Sequence, residues 1–367
     1  MWAGFGGYLG ALALAPRLGR RTVWAAILFL VTAFAVAPVL LSHDVYSYVD
    51  YARLGVRHGL DPYAHPPLAA PVDPAYADVT WTEATSAYGP LFTMATYPLA
   101  WLPVGVAVAV LKAVAALSVL GVAAIASRLA AWRGADPLRA AAFVALNPLV
   151  LVHVVGGAHN DGLTMLLAML AVAALISARE LSAGAALAAA IATKLSTAVI
   201  APFALLGASQ QPTDLRGTYI ERSRPVSRFA AGALAAGLAI ALAAWLAFGW
   251  DWLHGFGLAG ENQSRTSHMS LPITTARLTG LDPDTVRVAA GILFATAIAY
   301  LLFWTYRGND WIRASAWATL ALLLATAWLL PWYLIWLLPL AAISRDKPLQ
   351  LLTLSLTAYQ LGARIPL

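Results

Sequence analysis

VGVAVAVLKAVAALSVLGVAAIASRLA, residues 104–130, carries charge only at Lys112 and Arg128. Crossing a hydrocarbon core of about 30 Å takes roughly 20 apolar residues as a helix, and backbone facing lipid must satisfy its own hydrogen bonds. The run is long enough, so it reads as a membrane helix with Lys112 near its external end. Working outward, comparable apolar runs cover 22–41, 138–156, 161–178, 229–249, 286–305, 312–330 and 348–363. A further apolar segment opens the chain ahead of Pro16-Arg17, with its charge after the apolar run, the reverse of a secretory signal. The stretch 181–207 is too long for one span and holds Lys194 at its middle, which predicts a hairpin of two short helices with the lysine near its tip. Residues 332–343 form a shorter apolar run. The expected architecture is all-α, a polytopic membrane helix bundle of about 10–12 segments, organised as one domain over residues 1–367.

Composition agrees: 61% of residues are hydrophobic, 11% are charged, and mean hydropathy is +0.74, far from the balance of soluble domains. Cysteine is absent, which excludes disulfides, thiolate metal ligands and cysteine nucleophiles. A net charge of +6 needs no nucleic acid partner, because Lys and Arg gather on one side of the predicted helices, as at Arg17, Arg20, Arg21, Arg133, Arg179 and Arg307. The positive-inside rule makes that side cytoplasmic. The Arg-rich connection 208–228 falls there, and two long connections, 42–103 and 250–285, fall outside with the turn His159-Asn160-Asp161. Connections of such length are commonly functional.

The first external loop opens with LSHDVYSYVDYARLGVRHGLDPY, residues 41–63. Ser42 or Asp44 is placed to cap a juxtamembrane helix running to about His58, with Gly59 as its stop. Helical spacing puts Asp44, Ser47, Tyr48 and Tyr51 on one face, and Asp50 with Arg53 or Arg57 on another. Two roles for Asp44 stand at this point: a cap, or a general base held near the low-dielectric membrane boundary. Thr80-Trp81-Thr82-Glu83 and Tyr88-Gly89-Pro90 lead into a second interfacial helix, and the aromatics fit a membrane-interface belt.

His43-Asp44-Val45-Tyr46-Ser47-Tyr48, Asp61-Pro62-Tyr63, Tyr88-Gly89-Pro90, Asn147-Pro148, Gly157-Ala158-His159-Asn160-Asp161 and Pro331-Trp332-Tyr333 follow one another along nearly the whole chain. In that order they resemble the bacterial polyprenyl-phosphate-mannose-dependent mannosyltransferases of the GT-C superfamily. The resemblance implies an enzyme in the bacterial cytoplasmic membrane that moves a sugar, mannose in that family, from a polyprenyl phosphate donor to a lipid or glycan hydroxyl on the external face. It also implies an essential acid in the first external loop, which here is Asp44. No cofactor or metal is expected.

A single displacement inverts the sugar's configuration and needs one base, whereas a retaining route needs two closely placed carboxylates. For the departing phosphate the candidates are Lys194, Arg265 and His268; an intramembrane lysine is a functional candidate by default, with snorkelling to the interface as the plain alternative. His43, Tyr48, Tyr51, Tyr88, His159, Asn160 and Asp161 are candidates for substrate contact, His159-Asn160-Asp161 doubling as a possible helix cap. Asn262-Gln263-Ser264 matches a glycosylation pattern of low specificity. A transporter or flippase of a lipid-linked sugar and an O-antigen-ligase-like enzyme remain as other readings of the same features; a transporter moves its cargo without consuming it.

Overall fold

In the computed structural model, residues 2–210, 224–261, 265 and 267–363 are described. The Arg-rich stretch 211–223 and Asn262-Gln263-Ser264 lie outside them. The described residues form helices joined by turns, with no strand among them: α1 (Trp2–Leu14), α2 (Arg20–Val36), α3 (Asp44–Arg57), α4 (Pro90–Thr96), α5 (Val104–Trp132), α6 (Pro137–Ala145), α7 (Asp161–Ile176), α8 (Glu180–Thr193), α9 (Ala201–Ala208), α10 (Pro225–Phe248), α11 (Trp252–Glu261), α12 (Leu271–Thr279), α13 (Pro283–Tyr306), α14 (Trp311–Ala325), α15 (Leu334–Ile343) and α16 (Lys347–Gly362).

Their boundaries follow local chemistry. Proline opens α4, α6, α10 and α13, where its missing N–H costs nothing. Asp136, Asp282, Asp310 and Asp346 cap the helices that follow them, each side chain accepting from backbone N–H groups of the first turn. Lys112 does the converse: its ammonium donates to the carbonyls of Ala37 and Pro38, just past the end of α2, where the helix dipole favours a cation.

Three helices, α5, α10 and α13, are long and apolar enough to cross a membrane by themselves. Half of the apolar window of α5 is buried inside the protein, against 17% for α10 and none for α13. So α5 is a central strut, and α10 and α13 present apolar surface to lipid. Several other apolar helices are shorter than the expected spans because the chain breaks inside them. The run 138–156 divides at Asn147-Pro148 into α6 and a π-helical turn, Val150–Val155. The run 312–330 stops at Ala325, and Leu330, ahead of Pro331, is extended as a residue before proline must be. At Lys194 the backbone is also extended, with φ −159° and ψ 124°. The predicted break is there, but no hairpin closes: α9 packs against α14 and α10 instead of back along α8.

The tightest helix pair is α8 with α10. A Cβ on Gly232 would strike the Leu181 carbonyl, and one on Gly184 would strike the Phe229 carbonyl, so the two backbones touch through their glycines. Gly232→Val is expected to lower stability by about 1–3 kcal/mol through overpacking. A drop in the thermal midpoint in detergent reads this out. Gly237→Ala, in open space on the same helix, is expected to leave the midpoint unchanged.

Candidate active site

Two turns bring residues 41–44 against the end of the π-helical segment. Leu41, just before His43-Asp44, and Ala158, just before His159-Asn160-Asp161, both adopt left-handed backbone, with φ of 59° and 55°. Such positions cost energy for residues with a Cβ and concentrate at functional sites, as do π-helical turns. A backbone bond from Leu40 N–H to the Gly156 carbonyl, 3.2 Å, fastens one turn to the other.

Asp44 is the first residue of α3 and makes no cap bond. The cap reading therefore fails. Its Oδ1 accepts from Trp81 Nε1 at 3.1 Å, and its Oδ2 lies 3.6 Å from Nδ1 of His159. The His159 ring is stacked on Trp332 with centroids 3.8 Å apart, and Gly157 leaves room for its edge. Burial pushes the Asp44 carboxyl above its ordinary range; the Trp81 indole and the Lys194 charge partly offset this, while the Asp161 charge adds to it. A carboxylate raised in this way is a better proton acceptor near neutral pH.

Asp44, Tyr48, Tyr51, Tyr88, His159, Lys194 and Arg265 all line one cavity of about 540 Å³, within the usual size of small-molecule sites. Lys194 enters it from the break after α8. Its Nζ donates to both oxygens of Asp161, at 2.8 and 2.9 Å, and lies over the rings of Tyr333 and Trp336, 5.0 and 5.5 Å from their centroids. Arg265 reaches the mouth of the cavity over Trp81, 5.4 Å from the ring centroid. Its loop is pinned by Ser267, whose N–H and hydroxyl donate to the carbonyls of Ala327 and Leu329.

Other candidates are placed differently. Tyr51 lends its ring to the wall, but its hydroxyl donates to the Ala84 carbonyl. Ser47 is buried away from the cavity, so the predicted polar face loses one member. His43 is exposed against Tyr46 and the Asp78 carbonyl, and His268 is exposed beyond the cavity; neither belongs to its lining. Asn160 and Asp161 are buried behind the wall, so Asp161 reaches the cavity only through Lys194. Tyr88-Gly89-Pro90 owes its glycine to packing: Gly89 N–H donates to the Thr193 carbonyl, and a Cβ there would strike the Ala192 carbonyl.

The pairing expected for Asp50 also differs. Arg53 instead donates to Asp73 at 2.6 Å and to the Ala100 carbonyl, and His58 joins Asp73 at 2.8 Å. Asp50 is buried with both carboxylate oxygens unbonded, and burial together with the Asp73 charge pushes it up to about 7. A carboxyl raised on folding binds its proton more tightly in the native state, so stability is lost as pH rises from the unfolded value, near 3.8, to about 7. Asp50→Asn is expected to flatten the thermal midpoint across that window, and a midpoint-against-pH series checks it.

The residues that local sequence could not assign are Trp81, Trp332, Tyr333 and Trp336. Trp336 donates to Asp161 at 2.7 Å across 175 positions of sequence. The Pro331-Trp332-Tyr333 motif was the one signal that pointed to this wall.

The described residues thus form a polytopic helical bundle whose cavity is lined by one carboxylate, two cations and apolar walls. Residues 2–210 match the family described as alpha-(1->6)-mannopyranosyltransferase, N-terminal domain. The chain is 31% identical over 374 residues to alpha-(1->6)-mannopyranosyltransferase A of Mycobacterium tuberculosis, an alignment covering 93% of this chain and 70% of that protein. It is 30% identical over 193 residues to the Corynebacterium glutamicum protein of the same name, covering 51% of this chain and 38% of that protein. The chain belongs to the alpha-(1->6)-mannopyranosyltransferase family.

Proposed function

We propose that the protein is an inverting mannosyltransferase that uses a mannosyl phosphopolyprenol as donor and a hydroxyl of a lipid or glycan as acceptor. The observation that carries this reading is the composition of one cavity: Asp44, Lys194 and Arg265 at its polar end, and Val199, Pro202, Ile298 and Leu322 along its apolar flank. A donor with an anionic head and a hydrocarbon tail matches both ends.

In this mechanism Asp44 takes the proton of the acceptor hydroxyl while the oxygen attacks the anomeric carbon. The bond from that carbon to the phosphate oxygen breaks, and its electron pair leaves with the phosphate. Lys194 and Arg265 receive the charge that grows there. His159, held flat against Trp332, orients Oδ2 of Asp44, and Trp81 orients Oδ1. One displacement inverts the anomeric centre, so an α product of the kind the relatives are named for requires a β-linked donor. The basic residues on the opposite side of the helices support an active site on the external face of the bacterial cytoplasmic membrane.

Purified protein in lipid nanodiscs, given polyprenyl-phosphate-mannose and a mannoside acceptor, is expected to release polyprenyl phosphate and elongate the acceptor. Movement of intact donor across liposomes without its consumption would replace this reading with a transporter. Transfer from a water-soluble nucleotide sugar, with none from the lipid donor, would also overturn it.

A further inference from the structure

The cavity wall contains a cation whose charge is largely spoken for. Lys194 gives two of its three ammonium N–H bonds to Asp161, at 2.8 and 2.9 Å, and Trp336 Nε1 locks Asp161 Oδ1 from the other side at 2.7 Å. Asp161 is fully buried while the Lys194 side chain keeps 19% of its surface exposed, so water screens the carboxylate poorly and the ammonium faces the cavity with one N–H to spare. Nothing in the geometry requires this of a phosphate receptor: a bare lysine would hold an anion more tightly.

We propose that Asp161, which does not line the cavity, is a specificity-determining residue: it halves the charge of the phosphate receptor, so that the site accepts a lipid joined through one phosphate and rejects one joined through a pyrophosphate. The inference rests on the donor reading given above.

Asp161 cancels the charge of Lys194, which leaves the phosphate receptor one net positive charge, that of Arg265, while Asp44 serves the acceptor. A sugar phosphodiester brings one negative charge, which the spare N–H of Lys194 and the Arg265 guanidinium match. A pyrophosphate diester brings two, and a charge left unpaired in a space walled by Trp, Tyr and aliphatic side chains is costly. The same pair favours the reaction. As the bond to the sugar breaks, the phosphate gains charge, and Lys194 turns from Asp161 toward it. That contact strengthens only along the reaction coordinate, which lowers the barrier without tightening the ground state.

The test is inhibition of mannosyl transfer by the methyl diesters of undecaprenyl phosphate and of undecaprenyl pyrophosphate, which carry the one and two negative charges of the corresponding sugar lipids, using the full chain in nanodiscs. Wild type is expected to bind the phosphate diester at least about tenfold more tightly, and Asp161→Asn to shrink that ratio to within about threefold. In Asp161→Asn the donor KM should fall or hold while kcat falls, a split that loss of a merely structural carboxylate would not give. Trp336→Phe, which removes the indole bond but keeps a flat apolar ring, should give an intermediate ratio and carries the test if Asp161→Asn does not fold. Equal inhibition of wild type by the two lipids, or a ratio unmoved in both folded variants, overturns the proposal. Inhibition by neither lipid overturns the donor reading itself and the inference with it, a result distinct from two potent inhibitors with an unchanged ratio.

Discussion

Asp44→Asn is expected to lower kcat by about 10²–10⁴-fold, the usual worth of a positioned general base, while the affinity for the donor changes little. Asparagine fills the same volume and still accepts the Trp81 indole bond, so the fold has no reason to change. What is lost is a site for the acceptor's proton. The pH profile separates this from a loss of binding. In wild type, kcat/KM should fall on the acid side through a pKa above the ordinary carboxylate range, because burial raises Asp44. In Asp44→Asn the residual rate should be flat across the same range. Full turnover by the variant would remove Asp44 from the chemistry.

The second large effect concerns Lys194. Lys194→Met removes a cation from the place where phosphate charge grows, and losing one preorganised electrostatic contact of that kind costs about 10²–10³-fold in kcat. It also strands Asp161, which is fully buried and would keep only the Trp336 bond. Breaking one side of a buried pair costs about 3–5 kcal/mol, so the thermal midpoint should fall as well. The double variant Lys194→Met, Asp161→Asn is expected to recover most of the stability and none of the activity. If the double variant recovered activity too, Lys194 would be a structural partner of Asp161 and nothing more.

Much of the fold was legible in single segments. The run 104–130 became α5 almost to the residue, and the run 348–363 became α16. Segments failed where side chains compete with the helix. The Asn147 side-chain oxygen accepts from the Leu149 N–H, its amide nitrogen donates to the Thr357 hydroxyl, and Pro148 follows it, so 138–156 is two pieces. The proline and the turn at Leu149 are local; only the bond to Thr357, 210 positions away, lies outside any local window.

The site divides in the same way. Asp44 and Lys194 stood out because a charge in or beside an apolar run is expensive and needs a reason, and Arg265 because it lies in the second long connection; all three line one cavity. His43 and His268 carried the same chemical promise but stand outside the cavity, since neighbouring positions on a chain point in different directions. Trp81 looked like any tryptophan at a membrane interface. Its role follows from where Asp44 lies, and that is fixed only when residues 37 positions apart meet.

The bond between Leu40 and Gly156 makes the two turns a single rigid floor, carrying Asp44 on one side and His159 on the other. The opposite wall is of another kind. Trp81 and Arg265 come from separate loops and are joined by a cation over an exposed ring, worth about 0.5–1 kcal/mol. Thermal agitation opens such a contact readily, whereas the floor moves only if the bundle does. In the proposed enzyme Arg265 can swing off the ring while Trp81 keeps its bond to Asp44, so the mouth opens and the floor keeps its register from one turnover to the next.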